Sequence, residues 1–259
     1  MNPFKFFPVY RRELKSYLTS PTVYVCVAMY LFMSGLIFYG IMSDFSRLSG
    51  DEQARQAENI TIMNFTVQVI GQTFFAINFL LIFIVPIFTM RQLAEEKKSG
   101  TFELLKSLPF TDWNIVIAKF LSAYTVVAGM LILSSYYALL MIRYGEPEVP
   151  VLMVAMVGAL LASAAYTAIG LFASSLTENQ IVSAIVAFVL LMFFFLVGEF
   201  IPPSSQGIGR FLELLSLRYH TAQFARGLLR LEDVAYFILL VVIFLFLTTR
   251  ILELRRWRI

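Results

Sequence analysis

The 259-residue sequence is poor in the residues that carry most chemistry: it has one cysteine and one histidine, and Asp, Glu, Lys and Arg together make up only 14% of it. A lone cysteine, Cys26, cannot form an intrachain disulfide; inside an apolar run it reads as a small packing residue. A lone histidine, His220, cannot by itself supply a histidine-based metal site or triad. Neither a G-x-x-x-x-G-K-S/T phosphate loop nor an H-E-x-x-H helix occurs, so the two commonest routes to nucleotide and zinc chemistry are missing. Serines and carboxylates are present, but no spacing argues for a nucleophile and its base. The chain reads as a non-enzyme that holds no cofactor and binds no nucleic acid.

What it has in excess is apolar surface. Hydrophobic residues make up 59% of the sequence, and mean hydropathy is +0.78, against about 45–50% apolar in a soluble domain. Six stretches approach the roughly 20 apolar residues that cross a bilayer as a helix: 22–42, 67–89, 115–142, 151–173, 181–198 and 235–249. The fourth is the least hydrophobic and the sixth the shortest. Continuous runs, rather than alternation, argue against a β-barrel. The first run is too long for a signal peptide and lacks a small-residue cleavage site, so it reads as a retained anchor. The fold expected is all-α and integral to the membrane: a single transmembrane domain over 1–259.

Basic residues set the orientation. With the N-terminus inside, the inner segments and span ends hold 13 of the 20 Lys and Arg, and the outer segments hold 7, the direction required by the positive-inside rule. Four of those seven lie in one outer segment, 199–234. The chain is therefore expected as a multi-pass protein of the cytoplasmic (inner) membrane with both termini inside.

Three segments are neither span nor plain loop. In 2–20, Phe7, Tyr10, Leu14, Tyr17 and Leu18 share a helical face, Arg12 and Lys15 fall off it, and Arg11 sits at its edge. That pattern predicts an amphipathic helix on the inner leaflet, with Tyr10, Arg11, Arg12, Leu14 and Lys15 at the bilayer interface and the basic groups toward anionic headgroups. Pro21 ends it. In 199–234, Pro202 and Pro203 break the fifth span. The apolar cluster Phe211–Leu217 and the i, i+4, i+7 set Phe224, Leu228 and Leu231 then predict one or two short outer helices, either re-entrant and lid-like or simply packed on their neighbours. Glu199 is expected to pair with a nearby arginine rather than serve a proton path. Asn78 is expected to make a helix–helix hydrogen bond. The fourth span is rich in Ala, Gly and Ser from Ala155 to Gly170, which predicts close backbone approach within the protomer or at a subunit seam.

The third segment, 91–113, is the most informative. Glu95, Glu96, Lys97 and Lys98 extend the second span, Ser99 and Gly100 break it, and Ser99 or Thr101 can cap a new helix with Glu103 in its first turn. Phe102, Leu104, Leu105 and Leu108 are neighbours at three- and four-residue spacing, Pro109 stops the helix, and Thr111 and Asp112 cap the third span beside Trp113. A two-turn helix cannot persist alone in water, so it must lean on the membrane, on its own spans or on a partner.

Together, Arg11–Lys15 before Ser20 and Pro21, and the run Glu95, Glu96, Gly100, Thr101, Glu103 and Leu105 followed by Pro109 and Lys119, resemble the connecting helix and first inner loop of type-2 ABC transporter permeases. The flavour is similar to the gliding-motility-associated subgroup. The resemblance covers essentially the whole chain. It implies a homo- or heterodimer of six-span permeases in the lipid bilayer, served by a separate ATP-binding cassette subunit that holds ATP and Mg. It implies further that Glu95, Glu96, Gly100, Thr101, Phe102, Glu103, Leu104 and Leu105 dock that subunit through a coupling helix. The activity implied is ATP-driven export. Mechanotransmission to a periplasmic or surface machine, and a stand-alone membrane scaffold, are the alternatives.

Overall fold

The computed structural model describes residues 6–50, 66–100, 111–145, 147–199 and 207–256. Within them the chain is all helix: α1 (Phe7–Thr19), α2 (Pro21–Gly50), a π-helical turn (Thr66–Gly71) leading into α3 (Gln72–Lys98), α4 (Asp112–Gly145), α5 (Val149–Leu176), α6 (Gln180–Leu196), α7 (Ile208–Leu214), α8 (Leu217–Ala225) and α9 (Leu231–Arg256). Five of these helices, α2, α3 with part of its π turn, α4, α5 and α9, are long and apolar enough to cross a membrane. The fifth apolar stretch of the sequence forms α6, a 17-residue helix. At 1.5 Å per residue that is about 25 Å, short of the roughly 30 Å hydrocarbon core. The sixth stretch is not the shortest: α9 runs 26 residues, because Leu231–Val234 and Arg250–Arg256 join the helix despite their charges.

The helix ends follow local chemistry. Ser20, in extended backbone ahead of Pro21, closes α1. Asn179 caps α6 by accepting from the Ile181 N–H at 2.9 Å, and Ser216 caps α8 by accepting from the Tyr219 N–H. The Asn114 N–H reaches Thr111 Oγ1 at the start of α4. Gly100 has φ +70° just past α3, the left-handed position where glycine ends helices.

α5 is the central helix. Ala155, Gly158, Ala159, Ala162, Ser163, Ala165, Ala168 and Gly170 are all buried inside this one chain, so the small residues serve packing within the protomer. Two of them let neighbours touch the backbone. A Cβ on Gly170 would lie 2.3 Å from Thr89 Oγ1 of α3, and one on Gly158 would lie 2.3 Å from Phe224 Cβ of α8. α5 is thus pressed against α3 toward one membrane face and against α8 toward the other.

Two sequence expectations fail here. Phe224 is buried, but Leu228 is exposed and Leu231 is 88% exposed. α8 ends at Ala225 and Gly227 turns the chain at φ +78°, so the three residues never share a helix. Asn78 does not bridge helices: its Nδ2 donates to Phe74 O in its own helix at 2.8 Å. Pro202 and Pro203 lie outside the described residues.

Candidate functional site

α1 does not lie free on a bilayer surface. Leu14 and Tyr17 pack against the core, Tyr10 Oη lies 3.1 Å from Thr125 Oγ1 of α4, and Tyr17 Oη donates to Phe88 O of α3 at 2.7 Å. Arg11 and Lys15 are exposed. Arg12 is exposed as well, and is also ion-paired. It pairs with Glu13 at 2.8 Å and with Glu96 at 3.2 Å.

Those two carboxylates meet a third element. Lys119, in the third turn of α4, places Nζ 2.9 Å from Glu96 Oε1 and 3.3 Å from Glu13 Oε1. The Lys119 side chain is 1% exposed, and the two carboxylates are 16% and 13% exposed. Two cations and two carboxylates thus form a neutral cluster joining α1, the end of α3 and the start of α4. Burial pushes the Glu13 carboxyl up, but Lys119 and then Arg12 outweigh it and hold it below the usual carboxylate range. Burial likewise opposes the Arg12 charge, yet Glu13 and Glu96 raise its pKa overall. Gln92 adds a neutral tie, donating from Nε2 to Lys119 O at 2.7 Å.

The same end of α3 is fastened to α5. Ser174 Oγ accepts from the N–H groups of Leu93 and Ala94 and donates to Met90 O, each at 3.1 Å. The hydroxyl thus contacts three backbone groups of α3, and Pro86 lies one turn earlier. Lys97 Nζ then donates to Ser175 O at the C-terminal end of α5. Every tie falls within the last three turns before Gly100.

Of the residues expected to dock a partner, Glu96 is in the cluster, Glu95 is exposed beside it and Gly100 terminates α3. Thr101, Phe102, Glu103, Leu104 and Leu105, with the coupling helix they were expected to form, lie outside the described residues. Glu13, Gln92 and Ser174 carry much of the site and were not singled out from the sequence. A signal for Lys119 did exist: an ionisable residue inside an apolar run is anomalous without a partner.

On the opposite face, Glu199 pairs with Arg218 as expected, and the Arg218 guanidinium sits over the Phe75 ring. His220 was missed as a structural residue. Its Nδ1 lies 2.5 Å from Asp233 Oδ1, its Nε2 donates to Leu214 O at 3.0 Å, and its ring stacks on Tyr236 with centroids 3.9 Å apart. A carbonyl only accepts, so Nε2 is the donor in that contact. The pair pins α8 to α9.

Comparison with protein families identifies the chain. Residues 7–253 match the family model for ABC-2 family transporter protein. The chain belongs to that family. It is a multi-pass membrane protein, a permease subunit of an ABC transporter. A search of curated proteins gives no match.

Proposed function

We propose that this ABC-2 permease couples ATP hydrolysis by a separate ATP-binding cassette subunit to export. ATP and Mg sit in the partner, and this chain contributes no chemistry of its own. The working unit is a dimer of permeases, with six membrane passes each once α6 is included. The chain resides in the inner membrane with both termini and the 91–113 segment on the cytoplasmic side. The gliding-motility-associated flavour of the motif is kept as a proposal resting on sequence alone.

The observation that supports coupling most directly is the Arg12–Glu13–Glu96–Lys119 cluster. It ties together the helix before the 101–110 segment, the helix after it, and α1. A force applied to that segment therefore reaches three elements at once. The test is purification of the tagged permease from native membranes with its phosphate-loop ATPase. Replacing Phe102, Glu103 and Leu105 together by alanine should lose the ATPase while the permease remains folded. Full retention of the ATPase with unchanged ATP turnover would refute the docking role.

One feature favours mechanotransmission within the same complex. α5 reaches both faces: it anchors α3 through Ser174 and Gly170 and meets α8 through Gly158. A rigid strut of this kind can carry a stroke across the membrane without a cargo. ATP-dependent accumulation of a cargo in vesicles containing the purified complex would eliminate it.

A further inference from the structure

Beside the ion-pair cluster, a cavity of about 610 Å³ opens between α1, the first turn of α2 and the last turns of α3. Its lining divides by polarity. Val23, Ile87 and Phe88 form an apolar wall, and Arg91, Gln92 and Glu95 line it as polar groups. Arg12, Glu13, Glu96 and Lys119 also border it, but they are ion-paired with one another.

These polar groups keep bonding capacity to spare. Arg91 and Glu95 stand one helical turn apart, both exposed, and neither makes an ion pair among the described residues. Gln92 lies between them in sequence and is 4% exposed. Its Nε2 is used by Lys119 O, while its Oε1 is buried without a donor. A buried acceptor left unmatched is costly, and native structures rarely keep one without a partner. The cavity thus presents one free cation, one free carboxylate and one orphan acceptor, above an apolar wall on membrane helices.

We propose that this cavity binds a zwitterionic aminophospholipid. Its phosphodiester faces Arg91, its primary ammonium donates to Glu95 and Gln92 Oε1, and its acyl chains run along Val23, Ile87 and Phe88. A purely anionic lipid would satisfy Arg91 but would set its charge against Glu95 and offer Gln92 no cationic donor. A choline lipid carries the positive charge but has no N–H to donate. The site rests on the membrane reading of these helices and not on coupling to an ATPase, so it can fail or stand separately from the proposed function.

The test uses the full-length permease in nanodiscs of phosphatidylcholine doped with phosphatidylethanolamine or phosphatidylglycerol, with retained lipid counted by native mass spectrometry. Phosphatidylethanolamine should be enriched about tenfold over phosphatidylcholine, the effect of one charge-assisted hydrogen bond. Glu95→Gln and Arg91→Ala, both at exposed positions that should leave the melting temperature unchanged, should each abolish the enrichment. Equal retention of the ethanolamine and choline lipids, or enrichment that survives both substitutions, would overturn the proposal. Preferential retention of phosphatidylglycerol would overturn it in favour of a plain anion site. Glycerophosphoethanolamine, the headgroup without acyl chains, should compete only weakly; full competition would show a soluble-headgroup site and refute the lipid.

Discussion

Replacing Lys119 by methionine should destabilise the permease by more than a surface ion pair could explain. Nζ stands 2.9 Å and 3.3 Å from two carboxylate oxygens. At an effective dielectric of about 20 those separations give attractions of about 6 and about 5 kcal/mol. The cost of burying the charges takes back several kcal/mol per ion, so the sum is not the stability lost. What decides the outcome is what remains. Without Lys119, Glu13 and Glu96 keep Arg12 as a shared partner, whose side chain is 56% exposed. Breaking a buried pair costs about 3–5 kcal/mol, and the partial exposure of both carboxylates places this case near about 3 kcal/mol. At about 2–4 °C per kcal/mol for a chain of this size, the melting temperature in detergent should fall by about 6–12 °C. A triple variant separates structure from function. Lys119→Met with Glu13→Gln and Glu96→Gln removes every charge that would be stranded except Arg12, which is exposed. Most of the lost stability should return, since apolar or neutral replacement of a whole buried ion cluster is often tolerated. Stimulated ATP turnover should not return, because the tie across the 101–110 segment is still missing. A single Lys119→Met variant melting within 1–2 °C of the parent would refute the reasoning.

The remaining predictions test other ties. Acid should loosen α1: the Glu13 carboxyl is depressed in the fold, so its contribution is full above the unfolded value of 4.5 and is lost as pH falls through the folded value. Proteolysis between α1 and α2 should accelerate below about pH 4, and Glu13→Gln should remove that acid dependence. His220→Ala strands Asp233 and should cost about 3 kcal/mol or more. Asp233→Asn should cost less, because its amide can donate to Nδ1; melting curves of the two variants, in the opposite order, would sink that bookkeeping. Gly158→Ala puts a methyl group into the Phe224 ring and should cost about 1–3 kcal/mol, whereas Gly40→Ala, with open space around it, should be neutral or slightly stabilising by thermal melting.

The sequence made the helices legible because hydrophobic run length is a strong signal: all six apolar stretches are helical, and the small-residue run marks the helix that the others pack around. Element ends were less legible. α9 absorbs Glu232, Asp233 and Arg250, which a hydropathy reading cuts off. α6 stops after Leu196 with only 17 residues. The site was half legible. Glu96 and Lys119 stood out by position, but Glu13 is hidden among the basic residues of α1, and its role depends on α1 packing against α4, a contact between residues more than 100 positions apart. Asp233 and His220 are 13 residues apart, with a turn at Gly227 between them, so no periodicity links them. The Phe224–Leu228–Leu231 reading failed for the same reason: spacing assumes one continuous helix, and a left-handed glycine breaks that assumption.

The arrangement also bears on how a stroke could pass through the chain. A loop between two helices transmits force poorly if its ends move independently. Here the ends are tied: Glu96, two residues before α3 terminates, meets Lys119, the eighth residue of α4. Glu13 extends the tie to α1, and Lys97 and Ser174 extend it to α5. The base of α3 therefore cannot shift without disturbing α1, α4 and α5. Just above it, Pro86 removes one backbone donor from α3, and Ser174 contacts the backbone groups of the next turn. The geometry is that of a braced foot. Under the proposed coupling, Ser174→Ala should uncouple more than it destabilises. Without the hydroxyl, the Leu93 and Ala94 N–H groups lose their tie to α5, which frees Glu96 to move relative to Lys119. A spin-label distance between Arg11 and Lys98 that shifts in Ser174→Ala, with ATPase binding kept and ATP turnover no longer responsive, is the expected result. An unchanged distance with normal turnover would show that the Ser174 contact is only a packing detail.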